Sequence, residues 1–244
     1  MTEITIHPIG YITTPFKQKF GIPRQPNLAN AKGVVTLSDA YSDINVFKGL
    51  SGYSHVWLLF QFSETIHAGW QATVKAPRLG GNAKLGVFAS RSTHRPNGIG
   101  MSVVTYLGHN TKKGRLCLEV SGVDLLDNTP IIDIKPYIPY ADAINGSHTP
   151  FDNAQGSAQP KNQYDVHYTP RATQQLAKCA MYQPDLPELI DAVLSQDPRP
   201  AYKKKKHTDN KRYGCQLYDW DIIWRVSGQI ITVENIRLVA SPDA

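Results

Sequence analysis

The sequence predicts a mainly β protein, either a closed barrel or a sandwich, followed by a small α+β unit. The first observation is a series of short segments rich in β-branched and aromatic residues between Ile4 and about Tyr140. Gly, Pro, Asn or Asp bound most of them, as is typical of barrels and sandwiches. The second is the absence of any strand–GxGxxG–helix unit, which argues against a Rossmann-type cofactor site. The third is a change to helical periodicity beyond residue 163.

Seven strands are predicted in the first part, and each has alternating or continuous apolar residues between turn signals. A polar loop with a glycine at Asn110–Gly114 predicts a hairpin, and Val46–Leu50 predicts a short helix. Trp57 lies within an apolar strand, so we expect it in the core. The predicted strands are Ile6–Thr13, Gly33–Leu37, His55–Phe62, Leu85–Ala89, Ser102–Leu107, Arg115–Val120 and Ile131–Ile134.

The second part begins after a polar, Pro/Gly-rich stretch at 144–163, which predicts a linker or long loop. Thr169 followed by Pro170 predicts the start of a helix, and a second helix is expected from Asp185. Two apolar alternations around Ser227-Gly228 predict a hairpin. We therefore divide the chain into 1–143, the linker 144–163 and a small α+β domain at 164–244.

Composition narrows the class of protein. With 244 residues, 41% of them hydrophobic and 19% charged, the chain has enough apolar residues for a core. No apolar run is long enough to span a bilayer, and the N-terminus lacks the features of a signal peptide. The three cysteines form neither a disulfide framework nor a metal spacing, so we predict a cytoplasmic protein without a metal site. The net charge of +6 mildly favours a polyanionic partner.

The segment Pro77–Ser102 is the most informative stretch of the chain. It contains arginines at 78, 91 and 95, Gly-Gly-Asn and Pro-Asn-Gly turns, and the apolar run Leu85–Ala89. Glycine-rich turns allow close backbone approach or positive φ, as ligand-facing loops require. We interpret the run as a buried strand that places Arg91 and Arg95 in a polar cleft; an arginine-bearing surface loop is the alternative.

Five motifs together resemble the TsaA-like (TrmO/YaeB) family of S-adenosylmethionine-dependent tRNA methyltransferases. The resemblance runs from about residue 4 to the C-terminus and implies a β-barrel that binds the methyl donor without a Rossmann motif. Gly98 follows Asn97 where the family usually has proline. Besides Pro77–Ser102, the motifs are PRQP at Pro23–Pro26, SHVWLLFQF at Ser54–Phe62, DLLDNTPIIDIKPY at Asp124–Tyr137 and DPRPAY at Asp197–Tyr202.

The resemblance also implies the residues of the donor pocket. Arg91 is suited to the carboxylate of the methyl donor through a charge-assisted pair. The family often has His-Gln where this chain has Ser63-Glu64. Taken alone, Arg24 could belong to a surface loop and Asp-Leu-Leu-Asp to an ordinary turn. The implied S-adenosylmethionine-binding residues are Pro23, Arg24, Gln25, Ser63, Glu64, Arg91, Met101, Asp124, Leu125, Leu126 and Asp127.

The family's substrate is threonylcarbamoyl-adenosine next to the anticodon, in threonine tRNA for bacterial members. An N6 that carries a carbonyl substituent is a poor nucleophile, so methylation requires proton removal or charge stabilisation. Asp133, Tyr137, Asp124 and Asp127 are candidates for that proton, although Asp133 could instead pair with Lys135 or Arg91.

Arg199 and Tyr202 of the DPRPAY motif are predicted catalytic residues that hold the anticodon-loop backbone or a substrate substituent; an interdomain brace is the alternative. For tRNA contact the sequence offers Arg95 and a basic run beside aromatics. The run, for which a solvated loop is the alternative, consists of Lys203, Lys204, Lys205 and Lys206.

The resemblance further implies a homodimer with the cleft near the subunit interface, and the lack of a long apolar run predicts no membrane association. Two other functions stay open at this point. One is an RNA-binding module without catalysis, against which intact Arg24, Arg91 and Asp124–Asp127 count. The other is a methyltransferase that acts on another RNA or on a small molecule.

Overall fold

The computed structural model describes residues 4–75, 84–148, 164–200 and 208–239, with side chains in the last range described from residue 211. Six antiparallel strands close into a barrel in the order β1-β2-β7-β6-β3-β8. Closure, which distinguishes a barrel from a sandwich, is made by β1 against β8, where Ile12 pairs with Thr129. The barrel strands are β1 (Gly10–Thr13), β2 (Lys32–Leu37), β3 (His55–Gln61), β6 (Ile99–Lys112), β7 (Arg115–Ser121) and β8 (Thr129–Pro136).

Period-two alternation in the sequence fills the barrel. In β3, Val56, Leu58 and Phe60 are buried while the residues between them are partly exposed. Successive side chains of a strand point to opposite faces, so each strand contributes every second residue to the core. The mainly β prediction and its barrel alternative are therefore confirmed.

The structure corrects the expectation that Trp57 lies in the core. It lies between inward-facing Val56 and Leu58, so its ring is on the outer side of the barrel and only half-buried. Its indole N–H donates a 3.1 Å hydrogen bond to the Asp142 carboxylate. The alternation of the strand decides its side, and the apolar character of the segment does not.

The predicted strand Leu85–Ala89 is also only partly correct. A short hairpin pairs β4 (Thr73–Lys75) with β5 (Lys84–Gly86), and the chain then forms a 3₁₀ turn at Val87–Ala89. Only Val87 of that turn is buried. The predicted helix at Val46–Leu50 corresponds to two further 3₁₀ turns, Ile44–Phe47 and Leu50–Gly52; another lies at Asp39–Tyr41.

The C-terminal unit is a four-stranded sheet in the order β10-β11-β12-β9, with β9 parallel to β12. Thr169 caps its first helix as predicted, because its hydroxyl accepts a 3.2 Å hydrogen bond from the Ala172 N–H. Its strands are β9 (Asp165–Tyr168), β10 (Thr208–Leu217), β11 (Trp220–Ser227) and β12 (Ile230–Leu238), and its helices are α3 (Pro170–Tyr182) and α4 (Leu186–Ser195).

Two of these strands were not predicted. β9 is only four residues long, and β10 begins with the polar sequence TDNKR directly after the basic run. Neither has an apolar pattern long enough to recognise, and both are stabilised by pairing with β12 and β11. The predicted linker 144–163 lies from residue 149 onward outside the described residues.

The segment before β2 contacts the C-terminal unit. The Tyr218 N–H donates to the Pro15 carbonyl at 2.8 Å, and the Gln196 amide donates to the Leu28 carbonyl at 2.8 Å. The same segment carries the PRQP motif. Within the ranges described, no helix has the length and apolar character required to cross a membrane.

Candidate functional site

A cavity of about 560 Å³ opens where β3 ends and β6 begins. Four loops surround it: 22–25, 63–65 at the start of α1 (Ser63–Ile66), 90–95, and 124–126 before β8. The second short helix, α2 (Pro139–Asp142), does not line it. The barrel thus supplies a rigid wall, and the loops supply most of the polar groups.

Gly100 shapes that wall. The rings of Phe60 and Phe62 meet edge to face at 5.2 Å, directly against the Gly100 backbone. A Cβ at this position would overlap the Phe60 ring and lie 2.7 Å from Cζ of Phe62. Glycine is required here because the aromatic pair approaches the backbone so closely.

Asp124 is an acidic residue that lines the cavity. Burial raises the pKa of its carboxyl to about 6, because the charged form loses water. The Ser102 hydroxyl, which donates a 2.6 Å hydrogen bond to Oδ1, and the charge of Arg91 lower the pKa in part. Asp124 is therefore mostly ionised at neutral pH but close enough to its pKa to exchange a proton.

Arg91 and Arg95 are held differently. Nη1 of Arg91 donates to Oε1 of Gln25 at 2.7 Å, so the arginine-bearing segment and the PRQP motif meet across the cavity. Nη1 of Arg95 donates to the Ser90 carbonyl at 2.6 Å and the Val87 carbonyl at 3.3 Å. Arg95 therefore fixes the turn that presents Arg91.

The turn after Arg95 differs from the family pattern at Gly98. The Gly98 carbonyl accepts a 2.7 Å hydrogen bond from the Phe62 N–H, and its own φ is +58°. Proline is restricted to φ near −65°, so it does not fit this turn. The chain thus connects Asn97 to β6 by a left-handed glycine.

Ser63 and Glu64 lie at the exposed rim. Glu64 is 3.9 Å from Nζ of Lys19, a weak surface pair. Both residues are at the first turn of α1. They line the cavity without a strong hydrogen bond to its other polar groups among the described residues.

The structure brings ten of the eleven residues implied for donor binding to this one cavity, together with Arg95. The exception is Asp127. Its Oδ1 accepts from the Thr14 N–H at 2.9 Å and its Oδ2 pairs with Nζ of Lys17 at 2.7 Å. Asp127 thus ties the loop to the end of β1 and does not line the cavity.

Of the residues predicted as catalytic, the three that the structure describes, Asp133, Tyr137 and Arg199, do not line the cavity. Oδ1 of Asp133 accepts a 2.9 Å hydrogen bond from the adjacent Ile134 N–H, and no described partner ion-pairs with it. The ring of Tyr137 packs against those of His55 and Trp57, with centroids 6.3 and 5.9 Å away. Tyr202 and the basic run 203–206 lie outside the described residues.

Arg199 is fully buried in the C-terminal unit. Its Nε and Nη2 bind the two oxygens of Asp197 at 2.8 and 3.0 Å, and Nη2 also donates to the Tyr164 hydroxyl at 3.3 Å. The Tyr213 ring lies 6.0 Å away. All these partners belong to the same unit, so this geometry is that of an internal brace, unlike the substrate contact or interdomain brace expected from sequence.

Ser102 is a cavity residue to which sequence reasoning gave no role, whereas Gly100 was expected to allow close backbone approach. Ser102 is a buried hydroxyl beside the apolar pair Val103-Val104 of β6, and such a group requires a partner. That signal was present in the sequence. Its partner, Asp124, lies in the loop between β7 and β8, so only the fold shows that the two residues are in contact. Across the described ranges, no group of three or more His, Cys, Asp or Glu side chains is arranged to hold a metal.

Comparison with known proteins identifies the family. Residues 11–143 match the model of the tRNA-methyltransferase O N-terminal domain, and residues 161–239 match that of the TrmO C-terminal domain. The chain belongs to the TrmO family. The family resemblance inferred from the five motifs is thereby confirmed.

Relatives within the TrmO family extend along nearly the whole chain. A tRNA (adenine(37)-N6)-methyltransferase of Escherichia coli is 40% identical over 93% of this chain and 95% of its own. A putative S-adenosylmethionine-dependent methyltransferase of Pseudomonas aeruginosa is 45% identical over 90% and 91%. The crystal structure of TrmO from Pseudomonas aeruginosa has a TM-score of 0.76 and 39% identity, and covers 97% of this chain and all of that one.

Proposed function

We propose that this protein transfers a methyl group from S-adenosylmethionine to N6 of adenosine 37 in tRNA. The observation that carries the proposal is the convergence of three distant motifs around one cavity. Gln25, Arg91 and Asp124 come from separate segments of the sequence and line the same space. The names of the relatives support the reaction type, since they include tRNA (adenine(37)-N6)-methyltransferase and S-adenosylmethionine-dependent methyltransferase.

The cavity fits the methyl donor in size and chemistry. A volume of about 560 Å³ is in the usual range for a cofactor site, roughly 300–1,000 Å³. Arg91 would hold the carboxylate of the amino-acid end. Phe62, Leu125 and Met101 offer apolar surface to the adenine ring. When bound, S-adenosylmethionine supplies an electrophilic methyl group next to these residues.

Asp124 is the group we propose to take the proton from N6. Of the four candidates from sequence, it alone lines the cavity. Its pKa of about 6 leaves it ionised at neutral pH, as a general base must be. The Ser102 hydroxyl donates to Oδ1 and so fixes the orientation of the carboxylate. Positioning of the two substrates would supply much of the remaining acceleration.

The finer assignments rest on the family resemblance. We propose that the substrate adenosine already carries the threonylcarbamoyl group, that the product is its N6-methyl derivative, and that threonine tRNA is the preferred substrate. The anticodon loop is then the RNA element bound, consistent with the usual recognition of splayed bases in loops. A homodimer in the cytoplasm completes the proposal; sedimentation and cell fractionation test these two points.

The deciding experiment uses purified protein, methyl-labelled S-adenosylmethionine and bulk tRNA from a strain that lacks the homologous activity. Nucleosides are resolved by mass spectrometry. We expect one added methyl on threonylcarbamoyl-adenosine, greatest in threonine tRNA, and none on tRNA without the threonylcarbamoyl group. Arg91→Ala should abolish transfer and donor binding, whereas Arg171→Ala, on the exposed surface of α3, should change neither.

Other outcomes separate the alternatives. Methylation of another nucleoside would keep the enzyme class and overturn the substrate. Tight tRNA binding without any transfer would favour an RNA-binding module. Transfer to unmodified adenosine would show that the threonylcarbamoyl group is not required.

A further inference from the structure

The positive charge of this chain is concentrated in a segment without acidic residues. Residues 65–118 contain no aspartate or glutamate, so the charge of this segment alone exceeds the net +6 of the whole chain. Such a one-sign region is the electrostatic pattern of a polyanion-binding surface. Its eight cations are Lys75, Arg78, Lys84, Arg91, Arg95, Lys112, Lys113 and Arg115.

Several of these cations already have partners or a place in the cavity. Lys112 pairs with Glu119 at 2.7 Å, and Arg115 lies 3.6 Å from Asp39, both acids being outside the segment. Arg91 and Arg95 line the cavity. Lys75 and Lys84 are different, since neither has an ion pair or side-chain hydrogen bond among the described residues.

Lys75 and Lys84 lie directly opposite each other in the β4–β5 hairpin. Both are exposed, on the side away from buried Val74. Opposed residues of an antiparallel pair have Cβ atoms about 5 Å apart, and like charges there are destabilising. An anion bound between the two ammonium groups would relieve that repulsion.

Two exposed aromatic rings flank the same hairpin. Phe88 is 79% exposed and Trp70 is 58% exposed, so both rings are open to solvent. The Val87 N–H donates to the Ala72 carbonyl at 3.0 Å, so the segments carrying the two rings are joined side by side. Exposed aromatics beside cations form the combination that binds single-stranded nucleic acid.

The hairpin is attached to the rim of the cavity. The Gln71 N–H donates to the His94 carbonyl at 3.3 Å, and Arg95, which lines the cavity, donates to the Val87 carbonyl at 3.3 Å. A strand of RNA bound on the hairpin would therefore pass next to the site where the methyl group is transferred.

We propose that Lys75, Lys84, Trp70 and Phe88 form an RNA-binding surface, here called the hairpin surface, for the nucleotides that flank the target adenosine. The two lysines contact phosphates, and the two rings stack on unpaired bases. The choice of tRNA as ligand rests on the proposed function, but the surface itself is argued from charge and exposure. It adds a second contact region to the basic run of the C-terminal unit.

The test measures the dissociation constant for tRNA at several salt concentrations, with Lys75→Glu/Lys84→Glu and Trp70→Ala/Phe88→Ala. Lys48→Glu/Lys178→Glu is the matched control, because it makes the same change in net charge at exposed lysines on other elements. We expect the hairpin charge reversal to weaken tRNA binding at least about tenfold and to reduce the salt slope by about 1.5. The tRNA affinity of the aromatic variant should fall about tenfold. The tRNA affinity of the control should change less than about threefold.

Donor affinity and turnover complete the measurement. All variants should bind S-adenosylmethionine like the wild type, which also shows that they fold, and kcat at saturating tRNA should be retained while KM rises. Unchanged tRNA affinity in both hairpin variants would overturn the inference, as would an equal loss in the control. A wild-type protein that does not methylate tRNA would be a separate result, and it would contradict the proposed function. Binding of an acidic protein with retained tRNA affinity would instead assign the surface to a protein partner.

Discussion

The hydroxyl of Ser102 donates a 2.6 Å hydrogen bond to Asp124 across the base of the cavity, although the two residues belong to different segments of the barrel. Ser102 is buried in β6, and Asp124 precedes β8. The bond partly opposes the effect of burial, which raises the pKa of Asp124 to about 6. Ser102 therefore favours the ionised form of Asp124 near neutral pH.

The first prediction concerns the pH dependence of activity. Ser102→Ala removes a hydrogen bond that stabilises the carboxylate, so the pKa of Asp124 rises. As the pH is lowered, Asp124 in this variant is therefore protonated at a higher pH than in the wild type. Methyl transfer should then fall about threefold relative to wild type at pH 6 and about fivefold at pH 5, the effect of a hydrogen bond of about 1 kcal/mol, and should be nearly normal at pH 8.5. The measurement is kcat/KM between pH 5 and 9.

Ser121→Ala is the control for that variant, because the Ser121 hydroxyl donates to the Asn30 carbonyl outside the cavity. Its pH profile should coincide with that of the wild type. An unchanged profile in Ser102→Ala would show that the ionised carboxylate does not limit the reaction.

The second prediction concerns stability. The pKa of Asp124 is about 6 in the folded protein and ordinarily 3.8, so the folded state binds the proton more tightly than the unfolded chain. The resulting stabilisation is complete below about pH 4 and is lost as the pH rises through 6. Asp124→Asn keeps an acceptor for Ser102 but carries no charge. It should therefore be more stable than wild type at pH 7, by up to about 3 kcal/mol, and equal to it at pH 4.

Urea unfolding at the two pH values measures this difference, with methyl transfer assayed in parallel. We expect activity to be lost as stability is gained, since a charge buried for catalysis is costly to the fold. Asp39→Asn, at an exposed carboxylate, should change the free energy of unfolding little at either pH. A destabilised Asp124→Asn at pH 7 would contradict the prediction.

The third prediction tests the wall of the cavity. Gly100→Ala places a methyl group against the edges of Phe60 and Phe62, and the aromatic pair must move into the cavity or the core. We expect a loss of about 1–3 kcal/mol in stability and at least about tenfold weaker donor binding. Thermal unfolding and calorimetric titration with S-adenosylmethionine measure the two effects. Gly52→Ala, where no atom lies within 4 Å of the new Cβ, is the control, and equal effects in both variants would refute the packing argument.

The fourth prediction separates two roles for Arg199. Because its guanidinium is buried against Asp197, Arg199→Ala breaks a buried ion pair and should cost about 3–5 kcal/mol of stability. Below the unfolding temperature, kcat should stay within about threefold of wild type. A large drop in kcat with normal stability would instead support the catalytic role predicted from sequence. Asp197→Asn/Arg199→Met should lose less than the sum of the single variants.

The fold was largely predictable from local pattern, and the exceptions have physical causes. The alternation of Val56, Leu58 and Phe60 identified a strand, but apolar character alone placed Trp57 in the core, whereas register placed it outside. β10 escaped prediction because its polar first half is a strand only through its pairing with β11. The strand pattern alone left a barrel open against a sandwich, the family resemblance implied the barrel, and the pairing of β1 with β8 confirms it.

The motifs in the sequence determined the family and most of the residues around the cavity, because Arg24, Arg91 and the Asp-Leu-Leu-Asp loop are recognisable by type and spacing alone. Only the tertiary structure decided what each does. Asp124 acquires its pKa from burial and from Ser102. Asp127 forms an ion pair with Lys17, and Arg199 forms one with Asp197. Burial and opposing charge arise from chain segments brought together by folding, and no local pattern contains that information.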